Sequence, residues 1–229
     1  MRAIASQVVL RRKVKRITSK LEKAYGVPRA EADESVLDSL IGCMLSQNTT
    51  DTNSDRAWRN LKARFPSWGA VAKADRRRLE AAIAVAGLGP SRSKRIKRIL
   101  SYVMKTRGAY TIEFLKDWGN EDAFRYLSAL DGVGAKTAAI VLLFAMGRDV
   151  FPVDTHIHVI ARRLGLVRAG APRDAVYEAM KPLVPAGRSL SLHLNLIRFG
   201  KERCRKRKPT CAGCPLRSEC LCVRRSAKA

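Results

Sequence analysis

Hydrophobic residues recur at three- and four-residue intervals along nearly the whole chain. The first stripe of apolar positions, with Arg and Lys between them, consists of Val9, Leu10, Val14, Ile17, Leu21 and Tyr25. A second stripe consists of Val36, Leu37, Leu40, Ile41, Met44 and Leu45. Because this spacing places apolar side chains on one face of an α-helix, both segments are predicted to be amphipathic helices.

The same periodicity continues towards the C-terminus. It predicts further helices over residues 54–65, 77–86, 91–106, 121–129, 136–146, 155–164, 173–183 and 188–200. Glycine and proline residues separate these segments, for example at Pro66, Gly69 and Gly89–Pro90. The strict alternation typical of a strand never extends beyond four residues. We therefore expect an all-α fold.

The charge of the chain indicates a partner for this helical protein. Its 229 residues include 45 Lys and Arg against 20 Asp and Glu, which gives a formal net charge of +25 at pH 7. Nucleic acid is the commonest polyanion bound by a globular protein with such an excess. A ribosomal protein, or a basic protein without a specific partner, is the alternative.

The remaining composition predicts a compartment. No apolar run is long enough to cross a bilayer, and the basic N-terminus lacks the apolar core of a signal peptide. We expect a cytoplasmic, nucleoid-associated monomer without a membrane partner. In a reducing compartment, six cysteines favour metal ligation or buried thiols over disulfides. Cys43 lies on the apolar face of a predicted helix and is expected to be a buried thiol.

A group of cysteines near the C-terminus forms the first candidate site. Its members are Cys204, Cys211, Cys214 and Cys220, spaced C-x6-C-x2-C-x5-C. A structural zinc site usually has two CxxC pairs, and only one is present here, so the spacing favours a 4Fe-4S cluster. Zinc is the first alternative, and cysteines without a metal are the second. Cys222 could replace Cys220 as the fourth ligand. The basic residues 205–208 are predicted to face phosphate.

A glycine-containing turn between two predicted helices forms the second candidate site. The sequence LDGVGAKT, residues 130–137, precedes the apolar run AAIVLLFAM. Gly132 and Gly134 permit a close backbone approach, and the N–H groups at the start of the second helix can bind a phosphate. The pattern predicts a helix-hairpin-helix element that grips the DNA backbone without reading bases. A plain turn between helices is the alternative.

Lys136 and Asp154 are the candidates for covalent chemistry. Lys136 begins an apolar helix, so we expect its stem to be anchored against the core. Desolvation and the helix dipole would then favour the neutral, nucleophilic amine, whereas the alternative is a phosphate-binding lysine. Asp154 lies eighteen residues further along, before another predicted helix. Either Asp154 or Thr155 could be a simple N-cap, or Asp154 could stabilise a cationic sugar and shuttle protons.

These constellations, in this order, resemble the endonuclease III family of helix-hairpin-helix DNA glycosylases. The resemblance runs from about residue 30 to Cys220. The matching motifs are LSQNTTD (45–51), GLGPSRSKRI (87–96), LDGVGAKTA (130–138), VDTHI (153–157) and the four cysteines. It implies a 4Fe-4S cluster on those cysteines and a two-lobed molecule. Residues 29–147 would form a six-helix barrel domain that includes the hairpin, and residues 1–28 and 148–229 the cluster domain.

The resemblance also implies a reaction. Damaged double-stranded DNA would bind with the damaged nucleotide flipped out. Lys136 would attack C1′ and expel the base, and the resulting Schiff base would permit β-elimination of the 3′ phosphate. Asp154 would assist this attack and stabilise the developing positive charge. The chain would thus be a base-excision-repair DNA N-glycosylase with AP lyase activity.

Further DNA contacts follow from the same resemblance. Leu88 would wedge into the base stack, and either Gln47 or Asn48 would fill the gap left by the flipped base. Asn48 lies at the family's usual distance before Asp51, whereas Gln47 keeps the residue type. The other implied contacts are Gly132, Val133, Gly134, Thr137 and His156.

Lys136 narrows the implied substrate. Adenine-excising relatives lack this lysine and use a glutamate where this chain has Gly42. Thymine-mismatch relatives often carry tyrosine in its place, and oxidised-guanine relatives generally lack the cysteines. Oxidised pyrimidines are therefore the implied substrate. Methylcytosine-excising relatives share the lysine, aspartate and cysteines, so a different substrate stays open.

Two departures from the family pattern bear on this interpretation. Asp131 stands where the family usually has proline, which brings a negative charge close to the phosphate site and to Lys136. The SQNTTD segment also differs from the commonest bacterial form. The alternatives are a monofunctional glycosylase or AP lyase of altered lesion preference, and a catalytically idle DNA-binding iron–sulfur protein.

Overall fold

The computed structural model describes residues 6–29 and 35–226, with the last three of these described by their backbone alone. Residues 1–5, 30–34 and 227–229, which the predicted domain ranges include, lie outside the described residues. No strand occurs within the described ranges, and the predicted all-α fold class is confirmed. No helix there is long and apolar enough to cross a membrane.

The α-helices follow one another along the chain, with the longest connection, residues 203–220, carrying the cysteine group. They are α1 (Gln7–Tyr25), α2 (Val36–Ser46), α3 (Asp51–Arg64), α4 (Trp68–Lys73), α5 (Arg76–Ile83), α6 (Gly89–Arg107), α7 (Asn120–Ser128), α8 (Ala135–Phe144), α9 (Thr155–Leu164), α10 (Arg173–Met180), α11 (Ser189–Glu202) and α12 (Leu221–Ser226). The chain divides into two compact units, one of Ala32–Met146 and one that combines Met1–Glu31 with Gly147–Ala229.

The Ala32–Met146 unit is built around α2 and α8. Helix α2 packs against α3, α6 and α8, and every residue of its predicted apolar stripe is buried. Ser35 caps its start, with the hydroxyl oxygen accepting a hydrogen bond from the Asp38 N–H at 3.0 Å. Helix α8 is buried along most of its length because nearly all its residues are apolar. This unit therefore anchors the element that carries Lys136.

Helix α4 is absent from the predicted helices, and the reason lies at Gly69. The sequence pattern predicts that Pro66 and Gly69 lie between helices, but Gly69 is the second residue of α4. A Cβ added there would lie 3.3 Å from Cε2 of Tyr110, so the glycine permits close packing and does not end the helix. Helix α6 begins at Gly89, with Pro90 in the first turn, where no N–H is needed.

The other unit packs α1 against α11, and α9 against α10, α11 and α12. Leu10, Val14, Ile17 and Leu21 of the first predicted stripe are buried, whereas Val9 is exposed. Before α11, the Asp149 carboxylate accepts hydrogen bonds from the Gly187 and Ser189 N–H groups. Burial opposes ionisation of this carboxylate, but the hydrogen bonds outweigh it and lower the pKa of Asp149.

Candidate active site and thiol cluster

The turn between α7 and α8 has the form of a hairpin with an open helix start. The Val133 N–H donates to the Leu130 carbonyl at 3.0 Å, and Gly132 has a φ of +78°. Helix α8 begins after Gly134, and no side chain caps it. Its first N–H groups are therefore available to an anion, which the helix dipole also favours.

The backbone conformation of Gly132 favours glycine in this turn, and an added Cβ would also require the flexible Arg95 side chain to move. A Cβ at this position would lie 2.6 Å from Cδ of Arg95, and the positive φ disfavours any L side chain. We expect Gly132→Ala to lower the free energy of unfolding by about 1–2 kcal/mol from the backbone conformation alone. It should also weaken DNA binding, because the turn is predicted to bind phosphate. Urea unfolding and fluorescence anisotropy with a duplex measure the two effects.

Gly134→Ala is the matched control for the stability measurement. Gly134 has a φ of −90°, and no atom outside its own neighbourhood lies within 4 Å of an added Cβ. Gly134→Ala should therefore change the free energy of unfolding much less than Gly132→Ala does. Equal losses in the two variants would contradict a special role for the Gly132 conformation.

Lys136 is the second residue of α8, and its side chain is exposed. Within the described part of the chain, no hydrogen bond or ion pair holds its Nζ. The expectation that its side chain is desolvated is therefore wrong for the protein alone, because Lys136 is exposed whereas the following residues Thr137 and Ala138 are buried. The structure instead presents an accessible amine at an uncapped helix start.

The segment after α2 reaches this helix directly. The Gln47 side chain donates from Nε2 to Oγ1 of the buried Thr137 at 3.3 Å, next to Lys136. Asn48 is exposed and has a left-handed backbone, with a φ of 52°. Leu88, at the start of α6, is likewise left-handed, with a φ of 53°, and its side chain is 58% exposed.

One residue beside these loops was not singled out by the sequence pattern. Arg92 is buried, and its guanidinium contacts main-chain carbonyls of both loops. A signal was present, because Arg92, Ile96, Ile99 and Val103 follow one another at helical spacing on the buried face of α6. A charged residue on an apolar face is unusual unless it has partners.

Asp131 carries a negative charge at the hairpin, as its position in the sequence implies. Its Oδ2 lies 2.9 Å from Nη1 of Arg98, and both side chains are partly exposed. The ion pair balances the charge of Asp131 locally. Asp131, which stands where the family usually has proline, is thus paired with Arg98 of α6.

Asp154 is the N-cap of α9. Its Oδ1 accepts a hydrogen bond from the Ile157 N–H at 2.7 Å, and the residue is 8% exposed. Within the described residues, no hydrogen bond to Oδ2 is present. The carboxylate therefore fulfils the simple capping role and retains one oxygen that the cap does not use.

Val133 and His156, two further residues predicted to contact DNA, make contacts within the protein. Val133 is buried, and its N–H is engaged by Leu130. His156 packs against α11, where a Cβ on Gly200 would lie 2.7 Å from Nδ1 of the imidazole. The roles of both residues towards DNA stay predictions.

The cysteines predicted as ligands lie around one pocket. Cys204, Cys211, Cys214 and Cys220 all line it and are unbridged thiols, and Cys222 also lines it. Burial raises the pKa of the Cys204 and Cys214 thiols, and the Arg163 guanidinium opposes this at Cys204. In the described part of the chain, no group of three or more His, Cys, Asp or Glu forms a site that could hold a metal ion.

Cations hold the cysteine segment in place. Arg163 donates to the carbonyls of Arg205 and Lys206 and to Sγ of Cys204, the last at 3.3 Å. On the other side, Glu219 forms ion pairs with Arg16 and Lys20 of α1. The hydrogen bond from Arg16 lowers the pKa of Glu219 to about 2, and that from Lys20 adds to the effect against burial.

Comparison with known proteins identifies the family. The family described as HhH-GPD superfamily base excision DNA repair protein matches residues 41–186. Endonuclease III of Thermotoga maritima is 30% identical over 201 residues, which are 88% of this chain and 90% of that protein. An Arabidopsis thaliana protein described as a candidate DNA glycosylase is 40% identical over 76% of this chain. The chain spans 60% of that plant protein's length.

A structural comparison gives the same fold. A solved non-covalent endonuclease III–DNA complex matches with a TM-score of 0.81 at 21% identity, covering 96% of this chain and 99% of that chain. The chain belongs to the HhH-GPD superfamily of base excision DNA repair proteins, as a base excision repair DNA glycosylase of the endonuclease III type.

Proposed function

We propose that this glycosylase is bifunctional and also cleaves the DNA strand at the abasic site, with Lys136 as the nucleophile. The observation that carries the proposal is the exposed Lys136 amine at the uncapped start of α8. A phosphate bound by the α8 N–H groups would bring the adjoining sugar to this amine. The DNA that covers the site would also supply the desolvation that the protein alone does not provide.

The proposed chemistry needs no further reactant before product release. The neutral Nζ of Lys136 attacks C1′, the C1′–N bond breaks, and the base leaves with the electron pair and takes up a proton. Opening of the C1′–O4′ bond gives a Schiff base. Loss of a C2′ proton then expels the 3′ phosphate by β-elimination, and water hydrolyses the Schiff base to release the enzyme.

Asp154 is assigned to the same reaction on chemical grounds. A carboxylate near the sugar would stabilise positive charge that develops at C1′ as the base departs, and it could move a proton. The oxygen of Asp154 that the helix cap does not use is suited to this task.

Asn48 is the better candidate to fill the gap left by the extruded base. The Gln47 side chain is occupied by Thr137, whereas the Asn48 side chain is exposed. Leu88, exposed at the start of α6, is the proposed wedge. Asn48 also lies at the family's usual distance before Asp51, so placement and register agree.

Oxidised pyrimidines are the proposed substrate class, since the chain combines the lysine with the cysteine group and lacks a glutamate at Gly42. A set of duplexes with one modified pair each tests this. We expect the fastest strand scission with an oxidised pyrimidine, and slower or no scission with uracil, a T:G mismatch, 5-methylcytosine and 8-oxoguanine. Faster reaction with 5-methylcytosine would replace the proposed substrate, and base release without scission would indicate a monofunctional enzyme.

Cys204, Cys211, Cys214 and Cys220 are proposed to hold a 4Fe-4S cluster. All four thiols line one pocket, and the nearby cations can balance the charge of a thiolate-ligated cluster. A single zinc ion would need its thiolates about 3.8 Å apart, from tetrahedral geometry with Zn–S bonds of about 2.3 Å. A 4Fe-4S cluster would take its four ligands from Cys thiolates, which is the residue type that this group provides. The cluster would supply structural cross-linking of this segment.

Protein purified without oxygen should accordingly contain about four irons per chain and absorb near 400 nm. Cys204→Ser should lose both signals and make the cysteine segment sensitive to protease, because the cluster would no longer cross-link that segment. Cys222→Ser is the matched control and should keep the iron. Iron loss in Cys222→Ser but not in Cys220→Ser would make Cys222 the fourth ligand, and a colourless zinc protein would refute the cluster.

A further inference from the structure

Arg92 is a buried arginine, so it is not a solvent-exposed cation. It lies in the first turn of α6 and is 3% exposed. No carboxylate accepts a hydrogen bond from it within the described residues, and burial lowers the pKa of its guanidinium. A buried, unpaired arginine is costly unless its N–H groups are satisfied.

Main-chain carbonyls from two separate loops satisfy Arg92. Nη1 donates to the carbonyls of Ala86 and Gly87, which immediately precede Leu88. Nη2 donates to the carbonyl of Gln47, which immediately precedes Asn48. The planar guanidinium therefore bridges the 86–88 loop and the 47–48 segment, which lie about 40 residues apart in the sequence.

Each of the two loops that Arg92 bridges contains a residue in an unfavourable backbone conformation. Leu88 and Asn48 each have a positive φ without being glycine, and such residues persist only where the surroundings hold them. In each loop, Arg92 binds a carbonyl adjacent to that residue. Gln47 also links the 47–48 segment to α8, because its side chain donates a hydrogen bond to Thr137, the neighbour of Lys136.

We propose that Arg92 is a positioning residue that fixes Leu88 and Asn48 at one spacing, so that wedge and gap-filling side chain enter the duplex together. The inference rests on the proposed function, which assigns these two residues to base extrusion. Arg92 itself touches no substrate in this scheme. A lysine could not replace it, because a single ammonium lacks the planar fork that reaches both loops.

The test compares a substrate that requires extrusion with one that does not. Arg92→Lys and Arg92→Met are assayed for single-turnover scission of a lesion duplex and for borohydride trapping on a single-stranded abasic oligonucleotide. We expect duplex scission to fall about 10²-fold, as for a displaced catalytic geometry, with trapping on the single strand little changed. Equal losses on both substrates, or unchanged duplex scission, would overturn the inference.

Arg107→Met is the matched control for lost stability. Arg107 is in the same helix, with its guanidinium carbon 3.8 Å from the Phe114 ring centroid, far along α6 from both loops. This variant should melt at a lower temperature without changing the ratio of the two activities. If Arg92→Met fails to fold, Arg92→Lys decides the outcome, because it retains the charge and most of the side-chain volume.

A fluorescence measurement separates failure of this inference from failure of the proposed lyase. In the Lys136→Gln background, 2-aminopurine beside the lesion reports unstacking without any chemistry. Fluorescence should rise with Arg92 present and rise less with Arg92→Lys. A wild-type protein that never forms a borohydride adduct would refute the lyase, yet this fluorescence difference would still support Arg92. No difference between the two proteins would overturn its positioning role.

Discussion

Lys136→Gln is expected to form no borohydride-stable adduct with a damaged duplex and to lose strand scission by roughly 10³-fold or more. A glutamine amide has no nucleophilic amine, so neither the attack on C1′ nor the Schiff base can occur. The wild-type protein should form a covalent complex that survives denaturing electrophoresis. Single-turnover scission and borohydride trapping on the same duplex measure both effects.

The structure predicts that this variant stays folded. The Lys136 side chain is exposed and has no hydrogen-bond or ion-pair partner among the described residues, so its free energy of unfolding should change by less than about 0.5 kcal/mol. DNA binding should weaken only modestly, since the α8 N–H groups stay in place. Lys105→Gln, which removes another exposed lysine of the same unit, should trap and cleave normally. An undiminished adduct with Lys136→Gln would assign the Schiff base to a different amine.

The helices could largely be predicted from the sequence because their buried faces repeat at a regular interval. The stripe in α2 is buried at every predicted position, whereas in α1 Val9 is exposed and Tyr25 is only half-buried. Helix α4 was missed because Gly69 serves close packing against Tyr110, which is a tertiary contact that a local pattern does not contain. Periodicity therefore predicts which segments are helical, but it does not distinguish a glycine that ends a helix from one that permits close packing.

The sequence suggests candidate residues for the site but not the contacts that connect them. Lys136, Asp154 and the cysteines belong to motifs with recognisable order and spacing. The partners of Arg92 are main-chain carbonyls, which every residue has, so no residue type marks them in the sequence. The pairing of Asp131 with Arg98 was equally hidden, since many cations in this chain could have been its partner.

The net charge of +25 predicted a polyanion as partner, but individual cations serve different purposes. Arg16 and Lys20 bind Glu219, and Arg163 binds carbonyls in the cysteine segment. Such residues hold the fold together and are not available to phosphate in the same way as an unpartnered lysine. Charge counting thus indicates the class of ligand, whereas the contacts decide which cations can reach it.

Asp154→Asn is expected to lower scission by roughly 10²- to 10⁴-fold while the protein keeps its stability. Asparagine caps a helix about as well as aspartate, because its side-chain oxygen can accept the same hydrogen bond from the Ile157 N–H. What the substitution removes is the negative charge. Single-turnover scission gives the loss of activity, and urea unfolding gives the stability.

Asp154→Ala completes the design, because it removes both the charge and the cap. It should lose about as much activity as Asp154→Asn and should in addition lose about 1 kcal/mol of unfolding free energy. Activity and stability would then change independently at one position. If Asp154→Asn were as active as the wild-type protein and only Asp154→Ala were impaired, Asp154 would be a helix cap alone. The carboxylate oxygen that the Ile157 N–H does not engage would then have no part in the chemistry.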